Sequence, residues 1–167
     1  ESLITKVTGD RQDVVDFVNN IQVQINAHNG QNLPVSAFKD YVDGTTPSGS
    51  AAFEIRGIAV NIPVWDSSKC IQCNRCAYVC PHAVIRPVVM TEAEAAAAPA
   101  GVVTVPCTGL KEFRYTMTVS AYDCTGCGSC ANVCPGNKQG KALEMKNFEA
   151  NAGVQAGYDY GLTIPKK

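Results

Sequence analysis

The chain has 167 residues and a formal charge of −1, with 14 basic and 15 acidic side chains. This length fits one ordinary domain or two small ones, and the balanced charge provides no global field to attract nucleic acid or a membrane surface. The uncharged stretch at residues 95–110 is interrupted by proline and glycine and is too short to span a bilayer. Because no signal peptide is visible, we expect a cytoplasmic protein.

The N-terminal part, residues 1–60, is predicted to be a mainly helical segment. Apolar side chains recur at helical spacing within residues 10–29 and predict a helix packed on a core. These side chains are Val14, Val18, Ile21 and Ile25. Asp10 is the expected N-cap and Asn29, followed by glycine, the expected stop. A short second helix is predicted over residues 33–42.

Nine cysteines are the main anomaly of the composition, and eight of them form two copies of one motif. Each copy has the spacing C-x2-C-x2-C-x3-C and is followed by proline. A strand is predicted just before the first copy, over residues 57–65. The first copy contains Cys70, Cys73, Cys76 and Cys80, and the second contains Cys124, Cys127, Cys130 and Cys134. The repeat indicates an internal duplication.

Three interpretations of these thiols are considered: disulfide bonds, zinc sites and 4Fe-4S clusters. A disulfide framework needs an oxidising compartment and usually an even number of cysteines, whereas this chain has nine. Zinc sites usually combine two C-x2-C pairs separated by a longer stretch. A 4Fe-4S cluster offers four iron corners, and the observed spacing is that of two-cluster bacterial ferredoxins. The motif therefore favours two 4Fe-4S clusters over disulfides or zinc.

In that ferredoxin pattern the fourth cysteine of each motif ligates the other cluster. We therefore expect two ligand sets, each with three cysteines of one motif and one of the other. They are Cys70, Cys73, Cys76 and Cys134 for one cluster, and Cys124, Cys127, Cys130 and Cys80 for the other. This interlocking predicts an α+β, bacterial-ferredoxin-like domain with pseudo-twofold symmetry. Neither half can enclose its cluster alone, so loss of metal should unfold the cysteine region.

We place the two-cluster domain at residues 61–148, with a spacer at 81–123 inserted between the motifs. Within the spacer, Thr91 is a possible cap for the helix-forming run TEAEAAAA, and VVTVP and FRYTMTVSAY predict strands. Cys107 lies outside both motifs and is interpreted as a packing residue. Residues 149–167 are expected to be a linker toward a further domain.

Two longer segments of the sequence, each containing cysteines of one motif, resemble a known family over more than the motif itself. FEIRGIAVNIPVWDSSKCIQCNRCAYVCPHAVIRP and the later TMTVSAYDCTGCGSCANVCP resemble pyruvate:ferredoxin oxidoreductase. The resemblance is most specific in residues 53–87 and 115–135. In that family a small segment with Glu-Lys-Arg-Gly precedes the two-cluster domain, and here the same place reads Glu54-Ile55-Arg56-Gly57. Isoleucine thus replaces the family's lysine, and any contact made by that lysine is not carried over.

The resemblance implies the electron-transfer domain of a 2-oxoacid:ferredoxin oxidoreductase, with pyruvate as the expected substrate of the complete enzyme. Electrons would pass singly through the two clusters to ferredoxin or flavodoxin, and the remaining domains of the parent oxidoreductase would be partners. Thiamine diphosphate and coenzyme A belong to parts of that enzyme outside this chain. The chain is therefore expected to be a fragment with no catalytic residue of its own.

Two other interpretations remain open. In the first, the chain is a free-standing two-cluster ferredoxin with an N-terminal extension. In the second, it is the iron–sulfur subunit of another redox complex. Small ferredoxins need neither the long leader nor the long spacer, which favours the oxidoreductase interpretation. Peptides that continue past Lys167 into a thiamine-binding domain would separate the three.

Overall fold

The computed structural model describes residues 6–167, so the first five residues of the predicted segment 1–60 lie outside it. The chain divides into two compact units, Glu1–Arg56 and Gly57–Lys167. Across the part of the chain that is described, no helix combines the length and the apolar character needed to cross a membrane.

The first unit is built on one continuous helical stretch. Helix α1 (Gln12–Phe17) passes through a π-helical turn (Val18–Gln22) into helix α2 (Val23–Asn26). The predicted helix exists, but its N-cap is Arg11 rather than Asp10. Short 3-10 helices follow at Gly30–Asn32, Val35–Tyr41 and Ser50–Phe53. The predicted second helix is therefore a 3-10 helix.

The core of this unit confirms most of the predicted apolar face. Val14, Val18 and Ile21 are buried, and Phe17 packs edge-on against Tyr41 with ring centroids 5.0 Å apart. Ile25 was expected on the same face but is 44% exposed. The π-helical turn explains the difference, because its wider i→i+5 spacing rotates the residues that follow away from the predicted face.

The second unit contains two antiparallel sheets. Its strands are β1 (Asn61–Trp65), β2 (Ile85–Met90), β3 (Val105–Cys107), β4 (Leu110–Val119) and β5 (Leu143–Asn147). Strand β1 pairs with β5, and β4 lies between β2 and β3 in the other sheet. The predicted strands are present with shifted bounds: β1 and β3 begin later than predicted, at Asn61 and Val105, whereas β4 begins earlier, at Leu110, and ends at Val119.

Strand pairing relates the two cysteine motifs to each other. The first motif connects β1 to β2, and the second connects β4 to β5. In the ladders Trp65 pairs with Leu143, and Ile85 pairs with Val119. The strand before one motif therefore pairs with the strand after the other motif in both sheets. This arrangement confirms the α+β class and the ferredoxin-like organisation.

Five short helices complete the second unit. They are α3 (Arg75–Val79), α4 (Glu92–Ala96), α5 (Ser129–Val133), α6 (Phe148–Asn151) and α7 (Gln155–Thr163). Helix α4 has the predicted Thr91 cap as part of a capping box. The Thr91 hydroxyl accepts from Glu94 N at 3.2 Å, and the Glu94 carboxylate accepts from Thr91 N at 2.7 Å.

The segment for which the sequence predicts a linker, residues 149–167, is helical over much of its length. It packs on the sheet of β2, β3 and β4, here called the inserted sheet because it lies within the spacer between the motifs. The Gln155 amide oxygen accepts from Ala121 N at 2.8 Å. The Tyr160 hydroxyl donates to Glu94 O at 2.6 Å. A Cβ on Gly161 would lie 2.9 Å from Val88 Cγ2, so α7 approaches strand β2 closely. These residues belong to the folded second unit.

Candidate metal centre

The cysteines of the two motifs line two separate cavities. The first cavity is lined by Cys70, Cys73 and Cys76 together with Cys134. The second cavity is lined by Cys124, Cys127 and Cys130 together with Cys80. Each cavity thus combines three cysteines of one motif with the fourth cysteine of the other.

The proline after each motif explains why the fourth cysteine leaves its own loop. Helix α3 ends at Val79 and helix α5 ends at Val133, one residue before Cys80 and Cys134. Both cysteines are extended, with φ −70 and ψ 114 at Cys80 and φ −67 and ψ 115 at Cys134. A residue that precedes proline is disfavoured in the helical region. The helices therefore end at the fourth cysteine, whose side chain lies in the other cavity.

The loop before each helix has left-handed backbone positions that direct an N–H group toward sulfur. Gln72 N lies 3.4 Å from Cys70 Sγ, and Gly126 N lies 3.3 Å from Cys124 Sγ. These two hydrogen bonds occupy equivalent positions in the two motifs. Such donors stabilise negative charge on a thiolate ligand and tune the potential of an iron–sulfur site.

Burial is the largest influence on the pKa values of Cys76 and Cys130, which lie on the buried sides of α3 and α5. Together with smaller contributions from the charges of Cys70, Cys134 and Cys130, burial raises the pKa of Cys76 to about 11. Burial, with smaller contributions from the charges of Cys124, Cys80 and Cys127, likewise raises the pKa of Cys130 to about 11. The larger of these charge contributions come from cysteines that line the same cavity. A bound metal must displace the protons, since only thiolates are ligands.

The cysteines that line each cavity differ in how far they are exposed to solvent. Cys73 and Cys127 are exposed, whereas Cys76, Cys124 and Cys130 are buried and the remaining motif cysteines are half-buried. At Cys127, hydrogen bonds from the Ser129 backbone and hydroxyl lower the pKa of the thiol. Each cavity therefore has one cysteine on the side that faces solvent.

The four cysteines that line each cavity fit a 4Fe-4S cluster, which offers four iron corners to four thiolates. Within residues 6–167, no three Cys, His, Asp or Glu side chains are arranged to hold one metal ion. Four thiols around one cavity without a common point match a group that offers four separate metal corners. Trp65, which also lines the first cavity, has a buried indole N–H with no partner among the described residues. A buried donor of this kind normally has an acceptor, and cluster sulfur is one.

The sequence analysis assigned no role to two residues of the first motif. Gln72 and Asn74 have positive φ values of 56 and 59, and their side chains bond the inserted strands. Comparison of the two motifs could have identified these residues, because glycine stands at both equivalent positions of the second motif. Cys107 is half-buried against the core and lines neither cavity, in keeping with its interpretation as a packing residue.

Comparison with known proteins assigns both parts of the chain. Residues 69–138 match the family described as a 4Fe-4S dicluster domain, and residues 5–59 match EKR, a domain of unknown function. The dicluster domain implies two 4Fe-4S clusters in this chain. The region that matches EKR contains Glu54 and Arg56, which form an ion pair.

Curated relatives cover nearly the whole chain. Pyruvate-flavodoxin oxidoreductase of Klebsiella pneumoniae is 45% identical over 91% of this chain and 13% of that protein. Pyruvate:ferredoxin oxidoreductase of Moorella thermoacetica is 44% identical over 90% of this chain and 13% of that protein. Pyruvate dehydrogenase [NADP(+)] of Cryptosporidium parvum is 41% identical over 98% of this chain and 9% of that protein.

The chain therefore spans about an eighth of the length of the first two relatives and less of the third. The match runs through both the EKR and the dicluster regions. With its paired cysteine cavities, the chain belongs to the pyruvate:ferredoxin (flavodoxin) oxidoreductase family as its two-cluster, ferredoxin-like part.

Proposed function

We propose that this chain is the electron-transfer part of a pyruvate:ferredoxin or pyruvate:flavodoxin oxidoreductase. In the complete enzyme, oxidative decarboxylation of pyruvate to acetyl-CoA and carbon dioxide uses thiamine diphosphate and coenzyme A in other regions. The electrons released there pass one at a time through this chain. The observation that carries the proposal is the pair of cavities, each lined by four cysteines from both motifs.

The proposed ligand sets follow the two cavities. One cluster is held by Cys70, Cys73, Cys76 and Cys134, and the other by Cys124, Cys127, Cys130 and Cys80. When bound, each 4Fe-4S cluster takes up and releases a single electron at low potential. The chain itself holds the clusters in place, excludes water from their inner sides and directs backbone N–H groups at the sulfurs.

Helix packing supports electron passage between the two cavities. Helices α3 and α5 pack against each other and carry Cys76 and Cys130 on their buried sides. Each helix contributes ligands to both cavities, through its internal cysteine and through the cysteine that follows it. A short route through protein therefore joins the two clusters.

The proposed partners are the remaining domains of the oxidoreductase on the donor side and ferredoxin or flavodoxin on the acceptor side. The names of the relatives include flavodoxin, ferredoxin and NADP(+), so the acceptor varies among proteins that share this part. Exposed Cys73 and Cys127 mark the two sides at which a cluster comes nearest to solvent. Thiols kept free for metal require a reducing compartment, which supports a cytoplasmic location.

Metal analysis of the complete, anaerobically purified protein tests the cluster assignment. We expect about eight irons and eight sulfides from this chain, as two 4Fe-4S clusters require. Zinc in place of iron, or half the expected iron, would contradict it. A matched variant with Cys70→Ser and Cys124→Ser removes one ligand from each proposed set. Its iron content should fall while its EKR unit keeps its helical hydrogen-exchange protection.

Reduction with pyruvate and coenzyme A tests whether the clusters of the complete enzyme accept electrons from pyruvate oxidation. We expect EPR signals of two interacting reduced centres to appear with pyruvate and coenzyme A together, and not with coenzyme A alone. Dithionite serves as the positive control for cluster reduction. Clusters that dithionite reduces and pyruvate does not would instead indicate a free-standing ferredoxin or a subunit of another redox complex.

A further inference from the structure

The two cysteine loops have the same backbone turn but different residue types. Gln72 and Asn74 have φ values of 56 and 59, and the equivalent Gly126 and Gly128 have 72 and 76. Glycine adopts this left-handed conformation readily, whereas a residue with a Cβ is strained there, glutamine more than asparagine. The second loop thus uses the residue that suits the turn. In the first loop, contacts of the two side chains offset the strain.

Gln72 is bound at both ends of its amide by the inserted hairpin of strands β3 and β4. Its Nε2 donates to Pro106 O at 2.8 Å, and its Oε1 accepts from Thr108 N at 2.8 Å. The two backbone groups lie on either side of Cys107, where β3 ends. One side chain therefore satisfies a backbone acceptor and a backbone donor that the hairpin leaves open at this edge.

Asn74 makes the second connection to the same hairpin. Its Oδ1 accepts from the Tyr115 hydroxyl at 2.8 Å. Tyr115 lies in strand β4 and is only 3% exposed, so this hydrogen bond is formed where water competes little. The first loop is consequently tied to both strands of the hairpin, β3 through Gln72 and β4 through Asn74.

The second loop makes no equivalent contacts, since glycine stands at both positions and only Gly126 is closely covered. A Cβ on Gly126 would lie 3.1 Å from Asn61 O and 3.4 Å from Ala59 Cβ, so backbone rather than a side chain covers this position. At Gly128 a Cβ would meet no heavy atom within 4 Å. The inserted hairpin thus holds one loop of the pseudo-symmetric pair and not the other.

We propose that Gln72 and Asn74 are positioning residues that brace the first cysteine loop against the hairpin β3–β4 and make the two clusters inequivalent. The backbone N–H of Gln72 is the group that donates to Cys70 Sγ, at 3.4 Å. Fixing the Gln72 side chain therefore fixes a hydrogen bond to a ligand sulfur. Hydrogen bonds to sulfur and solvent access set the potential of an iron–sulfur site. The inference rests on the proposed function, since it takes the two cavities as cluster sites.

The test uses the complete, cluster-loaded protein with Gln72→Gly and Gln72→Met variants. Both remove the amide contacts, and only the glycine relieves the left-handed backbone. The expected result for both is a shifted midpoint potential of one centre in an EPR-monitored titration, with the other centre unchanged. A Cys73→Ser variant identifies the signal of the first cluster. Hydrogen exchange at the Thr108 amide should be faster in both variants, which reports the loss of the brace directly.

Asn74→Gly and Tyr115→Phe test the second connection in the same titration and should shift the same centre. Gln31→Ala, at an exposed glutamine of the first unit, is the control and should change neither centre. Loss of the first cluster alone would also support the brace. Equal shifts of both centres, or faster Thr108 exchange with both potentials unchanged, would overturn it. Absence of iron from the wild-type protein would refute the proposed function instead.

Discussion

Cys80 lines the same cavity as Cys124, the first cysteine of the other motif. The chain between these two residues contains all three strands of the inserted sheet, so the ligand set is completed across that sheet. Cys134 has the corresponding relation to the first cavity. The two cluster sites are therefore interdependent, because each motif supplies one ligand to the other.

Cys80→Ser should affect the cluster of the other motif more than the cluster of its own motif. The reason is that Cys80 lies with Cys124, Cys127 and Cys130 in the second cavity. We expect a changed EPR signal or lost iron for the second cluster, with the first retained. Cys107→Ser, at a cysteine outside both cavities, is the matched control. A change confined to the first cluster would disprove the exchange of ligands between motifs.

The grouping of the cysteines could be predicted from sequence because the motif and its proline act locally. Spacing determines which thiols share a loop, and the proline prevents the residue before it from continuing the helix. Strand pairing was also partly predictable, since apolar runs flank both motifs. The capped helix after Thr91 follows from local preferences in the same way.

Features that depend on contacts distant in sequence could not be predicted. Ile25 has the correct helical spacing, but the π-helical turn that exposes it is a property of the folded unit. Nothing local indicates that Gln72 would bond the backbone around Cys107. The packing of α7 on the inserted sheet likewise depends on side chains such as Gln155 and Tyr160, which bond distant backbone groups.

Gly136→Ala should loosen the first cluster. Gly136 lines the first cavity just after Cys134 and has a φ of 60. A Cβ there would lie 1.8 Å from Gly140 O, so alanine must push apart the turn held by paired hydrogen bonds between Asn137 and Gly140. We expect faster loss of iron from the first cluster to a chelator, followed by EPR.

The control for this substitution is Gly153→Ala, where a Cβ would meet no heavy atom within 4 Å. Gly153 does not have a left-handed backbone, so alanine fits without strain. Iron release from this variant should match the wild type. Equal release rates in Gly136→Ala and Gly153→Ala would show that the turn after Cys134 does not hold the first cluster.

Asp66→Ala should also weaken the first cluster, through the turn that leads into Cys70. The Asp66 carboxylate accepts from Ser68 N at 3.1 Å and from the Ser68 hydroxyl at 2.6 Å, and it pairs with Lys69 at 2.9 Å. Asp66→Asn keeps an acceptor for Ser68 and should lose iron more slowly than Asp66→Ala. Chelator-dependent iron release, compared among the three proteins, measures the effect.

The pH dependence of this effect follows from the same contacts. The hydrogen bonds from Ser68, and then from Lys69, lower the pKa of Asp66 to about 2. A carboxylate with a lowered pKa contributes its stabilisation above its usual pKa, and the contribution is lost as the pH falls toward the lowered value. The difference between wild type and Asp66→Ala should therefore be constant between about pH 8 and pH 6. A difference that vanishes by pH 6 would refute this assignment.

Removal of iron should unfold the second unit and spare the first. The core of Gly57–Lys167 includes Cys76, Cys124 and Cys130 among its buried side chains, so its interior is arranged around the two cavities. Loss of the clusters leaves these cavities without their contents and the buried thiols without ligands. We expect amide protection in β2 and β4 to collapse after oxidative cluster loss and chelation, as measured by hydrogen exchange with mass spectrometry.

The first unit provides the internal control for this experiment. Its core of Val14, Phe17, Val18 and Ile21 contains no cysteine, so protection of helix α1 should persist after chelation. Re-addition of iron and sulfide under reducing conditions should restore protection in β2 and β4. Protection of these strands that survives complete iron loss would mean that the sheet is stable on its own, because packing of the apolar side chains then outweighs the empty cavities.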